Sequence, residues 1–106
     1  MGKDARPPED RAAALMALEW AVSARRDLER LHNLLASVSP NAALKAVRLI
    51  LAGVRRLAAK PRLGARMIEF EPREIRRLFV ADYEVRYEVR DGDLFILRVW
   101  HVREDR

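Results

Sequence analysis

The chain predicts an α+β fold, with an N-terminal helical hairpin packed on a small twisted antiparallel sheet. Three observations predict it. Between Ala24 and Leu57 apolar residues recur three or four positions apart, the spacing of amphipathic helices. From Arg77 to His101 apolar and polar residues alternate, the spacing of half-buried strands. Asp91-Gly92 interrupts that alternation with a hairpin-turn signal. Two helical stripes and one sheet face all need apolar cover, and in a single domain of 106 residues they supply it to one another.

The elements follow in order. Residues 1–15 are polar, contain Pro7-Pro8, and read as a flexible leader; the domain spans residues 16–106, and Met16 is a candidate alternative start. Leu15 to Trp20 is a short apolar run, read as a first strand. Ala24, Leu28, Leu31, Leu35 and Val38 form the stripe of a first helix, with Arg25, Arg26, Glu29 and Arg30 opposite. Ser39 as N-cap and Pro40 at the first helical position start a second helix. Its stripe is Ala43, Val47, Ile50, Val54 and Leu57, widened by Leu44, Leu51 and Ala58, and Pro61 ends it. So short a connection makes the helices antiparallel. Arg62-Leu63-Gly64 is a loop, Arg66 to Glu71 is ambiguous, and Pro72 precedes a strand over residues 75–80. Ala81-Asp82 turns tightly into the strand Tyr83–Val89.

For the last hairpin, a three-residue loop Arg90-Asp91-Gly92 is expected, pairing Tyr87 with Phe95, Val85 with Leu97 and Tyr83 with Val99. That register gathers Tyr83, Val85, Tyr87, Phe95, Leu97 and Val99 on one apolar face. It turns Leu94, Ile96 and Trp100 outward and sets Glu84 opposite Arg98.

Composition narrows the function classes. The chain has no cysteine, which excludes disulfides and thiolate metal sites and fits a reducing compartment. No run of 18 apolar residues exists, and no secretory signal is apparent, so a cytoplasmic location is expected. His32 and His101 are far apart and no glycine-rich phosphate loop occurs, so neither metal nor cofactor is expected. Net charge is +5, from 21 basic and 16 acidic residues. The leader is balanced, with Lys3, Arg6 and Arg11 against Asp4, Glu9 and Asp10, so the excess lies in the domain. Most of the cations are arginine, whose planar fork suits phosphate and carboxylate, so an anionic partner is plausible beside a merely solvated basic surface.

The order of elements and several residue groups resemble the RelE/ParE superfamily of toxins from type II toxin–antitoxin systems, over about residues 16–106. Leu18-Glu19-Trp20 with Ala24, Asp27 and Leu28 is similar to the first strand and helix of that family. Ser39-Pro40 with Ala42-Ala43 resembles its interhelical corner, and Leu57, Pro61 and Gly64 the end of its second helix. Arg77, Tyr83, Tyr87 and Ile96-Leu97-Arg98-Val99-Trp100-His101 resemble its central strands and C-terminal signature. The resemblance implies a cognate antitoxin whose tail wraps the toxin, and higher-order toxin–antitoxin complexes. It also implies one of two activities. RelE-like members cleave mRNA on the ribosome, whereas ParE-like members poison DNA gyrase. Glu84 stands where the nucleases often carry a phosphate-binding arginine, and Val102 stands where tyrosine often follows the histidine. Both departures favour the ParE branch and gyrase binding over ribosome-dependent endonuclease activity.

Candidate residues follow. His101 is the catalytic candidate, as a proton donor. Arg77, Arg86 and Arg98 are candidates for target or phosphate contact, with cross-strand ion pairs to Glu84 or Glu88 as the structural reading. Leu94, Ile96 and Trp100 are candidates for antitoxin contact, as an outward apolar stripe.

Overall fold

The computed structural model describes residues 17–104; the leader and the first residues of the expected first strand lie outside them. Five strands form one sheet in the order β1-β5-β4-β3-β2. They are β1 (Leu18–Trp20), β2 (Ala65–Arg66), β3 (Glu74–Val80), β4 (Tyr83–Arg90) and β5 (Asp93–His101). Helices α1 (Val22–Ala36) and α2 (Pro40–Ala59) cover one face. β1 pairs with β5 in parallel, so the sheet is mixed, and the other pairings are antiparallel. Neither described helix is long and apolar enough to cross a membrane.

The helical corner forms for the reasons its sequence suggests. The Ser39 side chain accepts the Ala42 N–H at 3.2 Å, and Pro40 occupies a position whose N–H would have no helical partner. Ser39→Ala is expected to lower unfolding free energy by about 1 kcal/mol, readable as a shifted urea midpoint at constant slope. α1 buries Ala24, Asp27 and Leu31, and α2 buries Ala43, Ala46, Ile50, Gly53, Val54 and Leu57. Three stripe assignments fail: Val38 lies beyond the helix end and is exposed, and Leu44 and Ala58 of α2 are exposed as well. The ambiguous segment resolves into β2 and a 3-10 turn at Ile68–Phe70, followed by a cis peptide at Glu71-Pro72.

The hairpin register differs from the expected one. Arg90 pairs with Asp93 across a two-residue turn, with Asp91 at φ 53° and Gly92 at φ 83°. Two consecutive left-handed residues suit the strand twist better than the three-residue loop. A bulge then restores the apolar face. Tyr87 pairs with Ile96 but Arg86 with Arg98, leaving Leu97 as the extra residue. The inward set on β5 is therefore Leu94, Ile96 and Val99, all fully buried against the helices, while Phe95 and Leu97 are half-buried outside that core. Leu94 and Ile96 thus form no outward stripe, and the antitoxin-contact assignment fails for both. Glu84 lies opposite Trp100, not Arg98.

The bulge also marks where one neighbour of β5 gives way to another. β1 covers the β5 edge only from Leu94 to Ile96. Beyond it α1 satisfies the exposed backbone. Ala21 N–H donates to Ile96 O at 2.9 Å, and the Ser23 hydroxyl donates to Leu97 O at 2.9 Å. Asp27 Oδ2 accepts the Val99 N–H at 2.9 Å. A sheet edge that would otherwise invite another strand is closed by helix side chains.

Candidate functional site

Strand alternation decides what the open face of the sheet presents. Since Tyr83, Val85, Tyr87 and Val89 belong to the core beneath the helices, Glu84, Arg86 and Glu88 of β4 point the other way. Arg77 and Phe79 of β3 lie alongside them, as do Phe95 and Trp100 of β5. Arginine and aromatic side chains interleave here. The Arg86 guanidinium lies 4.7 Å from the Trp100 ring centroid and 5.7 Å from that of Phe70. Arg98 covers Trp100 at 4.9 Å, Arg90 lies over Phe95 at 4.3 Å, and Arg77 over Phe79 at 5.4 Å. Such stacks contribute about 0.5–1 kcal/mol each where exposed and orient the guanidinium planes.

Most of these cations already have carboxylate partners. Arg86 Nη2 donates to Glu84 at 3.1 Å, and Arg73 forks onto Glu88 at 3.2 and 2.9 Å. The Arg73 guanidinium, with burial opposing it, holds the Glu88 carboxyl below its usual range. Arg77 is exposed and forms no ion pair with a described residue, and its neighbour Phe79 is 52% exposed. These two are accessible, as are Arg73, Arg90 and Phe70, but Arg77 is the one among these arginines without a carboxylate partner among the described residues. Trp100 is turned outward as expected, but two guanidinium groups cover it and only 7% of it is exposed.

Arg98 pairs not with Glu84, as expected, but with a helix carboxylate, at a centre that strand alternation does not reveal. Arg98 reaches round the sheet edge to Asp27, with Nε to Oδ2 at 2.7 Å and Nη2 to Oδ1 at 3.0 Å. Arg30 adds Nη1 to Oδ1 at 2.6 Å and forks onto Glu104 at 3.1 and 3.0 Å. Burial pushes the Asp27 carboxyl up, but hydrogen bonds from Arg98, Val99 N–H and Arg30 outweigh it and hold the group below the usual range. Burial likewise opposes ionisation of Glu104, and Arg30 with the His101 N–H outweighs it. The available signal was an aspartate inside the Ala24–Leu31 stripe, three residues after one buried position and four before another.

His101 lies elsewhere. It pairs across the strands with Tyr83, on the helix side of the sheet, and its ring meets Tyr83 edge-on at 5.3 Å. Its Nδ1 accepts the Arg103 N–H at 3.1 Å. Arg77 and Arg86 are on the opposite face, so the structure does not bring the expected proton donor and phosphate cations together. Among the described residues no three His, Asp or Glu side chains are placed to hold a metal ion.

Comparison with known proteins agrees with this architecture. The family described as the ParE toxin of type II toxin–antitoxin systems, parDE, matches residues 18–106. A curated relative, "Toxin RelE3" of Caulobacter vibrioides, is 32% identical over 96 residues, covering 87% of this chain and all of that protein. A solved chain of the chromosomal ParDE TA system from P. aeruginosa superposes with a TM-score of 0.69 at 27% identity, covering 82% of this chain and 96% of that one.

Proposed function

This chain belongs to the ParE toxin family of type II toxin–antitoxin systems and has a cognate antitoxin as partner, and we propose that it arrests growth in the cytoplasm by binding DNA gyrase, not by cutting RNA. One observation carries the choice between the two activities. Hydrolysis of RNA needs a proton donor and a phosphate-binding cation within hydrogen-bond reach of one substrate. Here His101 and the pair Arg77 and Arg86 belong to opposite faces of the sheet. Arg86 is further neutralised by Glu84 and Arg98 by Asp27, an arrangement that fits a rigid docking face better than a phosphate cradle. We assign target contact to Arg77 with Phe79 on the open face, and leave to Arg86, Arg98 and Trp100 the task of holding that face rigid.

The purified chain is expected to inhibit supercoiling by gyrase and to accumulate cleaved DNA. Primer extension on translated message should show no new ends, and His101→Ala should still arrest growth. Message cleavage that His101→Ala abolishes would replace this reading with the ribosome-dependent endonuclease.

A further inference from the structure

Arg30 of α1, Arg66, Arg76, Arg86, Arg90 and Arg98 of the strands, and Arg62 and Arg73 of the loops each approach a carboxylate within 4.0 Å. Arg25, Arg26, Arg77 and Arg103 have no such partner among the described residues, but the cations without one are most numerous along α2 and its C-cap. No aspartate or glutamate occurs between Glu29 and Glu69, so the helix has no acidic residue of its own. Lys45, Arg48, Arg55, Arg56 and Lys60 are all exposed and form no ion pair with a described residue.

Their positions are not explained by helix stability. Lys45 and Arg48 are three apart and Arg56 and Lys60 four apart, spacings at which like charges destabilise a helix. The helix dipole favours Arg56 in the last turn but not Lys45 in the first half. At about 100° per residue, Lys45 and Arg48 lie near the middle of the solvent face with the small residues Asn41, Ala52 and Ala59, and Arg55 and Arg56 lie to either side of it. The exposed leucines Leu44 and Leu49 flank Arg55 and Arg56, about 20° further out. A partner approaching the centre of this face therefore meets positive charge and short side chains, with a leucine on each flank.

We infer that the outer face of α2 docks on the phosphate backbone of duplex DNA, without reading its sequence. Lys45 to Lys60 spans about 22 Å at 1.5 Å per residue, alongside roughly six phosphates of one strand. α2 contains no aromatic residue. Single-strand binding relies on aromatic stacking, so a duplex fits this face better. This inference goes beyond the gyrase reading and does not rest on it, because the interaction is measured with no gyrase present.

The test uses the full-length chain and a fluorescent 20-base-pair DNA duplex, with anisotropy recorded across a salt series. Binding should weaken with salt along a log–log slope of about −0.9 per neutralised phosphate. The variant Arg48→Gln/Arg55→Gln/Arg56→Gln should reduce the magnitude of that slope by about 2–3 and weaken binding at least about tenfold in 50 mM salt. Lys45→Gln/Lys60→Gln should move both readouts in the same direction. Arg25→Gln/Arg26→Gln/Arg103→Gln removes the same charge elsewhere and should lose less than about threefold. Circular dichroism should show all variants folded, since every altered residue is exposed. Absence of duplex binding in the wild-type chain would overturn the inference, as would equal losses in the two triple variants. Tighter binding to duplex RNA, or to poly-glutamate at matched charge, would also overturn it by assigning the face to a different partner.

Discussion

Asp27→Ala is expected to lower the unfolding free energy by about 3 kcal/mol, one of the two largest single-site effects foreseen for this fold. The residue is 2% exposed, and its side chain joins four groups: Arg98, Arg30, the Val99 N–H and, through Arg30, Glu104. Its removal leaves a buried backbone donor on β5 without a partner and two guanidinium groups facing each other across the gap. Both guanidinium groups are partly exposed and can recover water, which keeps the loss at the lower end for a broken buried pair. Thermal unfolding should show a fall in Tm of roughly 10–20 °C.

The same centre sets the response to acid. Asp27 and Glu104 are both held below the usual carboxylate range in the folded chain. Above about pH 5.5 the carboxylates are ionised in folded and unfolded chain alike, and their contribution is fully present. As pH falls below that range the unfolded chain takes up protons first, so stability declines and the contribution is lost once the folded groups titrate. Asp27→Ala should flatten the stability–pH curve on its acid side, in addition to lowering its plateau.

Gly64→Ala is expected to cost about 2–4 kcal/mol, by a different mechanism. A methyl group on Gly64 would lie 2.7 Å from Arg77 O and 2.8 Å from the Tyr87 hydroxyl. Arg77 O is sheet backbone and cannot withdraw. The Tyr87 hydroxyl accepts the Gly64 N–H at 2.9 Å and donates to Pro61 O at 2.8 Å, so it is held from both sides. Arg76 ties the same loop by donating to Gly64 O at 2.7 Å. The methyl must therefore lift the 61–64 loop away from β3 and β4. Tyr87→Phe, which removes the partner of the buried Gly64 N–H and of the partly buried Pro61 O, should cost about 1–3 kcal/mol. The double variant should be less destabilised than the sum of the two, because the phenyl ring relieves half of the crowding. Urea unfolding of the four proteins measures this coupling.

The architecture was legible where one residue type has one physical use. Ser39-Pro40 could only begin a helix, Pro61 could only follow the end of one, and Asp91-Gly92 could only turn a hairpin. The register was not legible, because it depends on a bulge. Alternation across Leu94, Ile96 and Val99 breaks step at Leu97, and either a shifted turn or an extra residue can repair it. The choice is made by α1, which offers Ser23 and Asp27 to the β5 backbone at the point where β1 stops. No local pattern contains that information. The same error moved Leu94 and Ile96 from the core to the surface in the sequence reading, and gave Arg98 a strand neighbour in place of a helix carboxylate. Arg77 needed no register correction, because the β3–β4 turn at Ala81-Asp82 pairs Val80 with Tyr83 as the two residues between them require.

Inhibition of gyrase supercoiling by Arg77→Glu/Phe79→Ala, compared with the unaltered chain, tests most directly whether the open sheet face makes the grip. If it does, the double variant should require at least tenfold more protein for half inhibition, about 1.4 kcal/mol of contact, while unfolding at the same urea concentration. Half inhibition at an unchanged concentration by a fully folded variant would contradict that assignment and move the contact off the sheet.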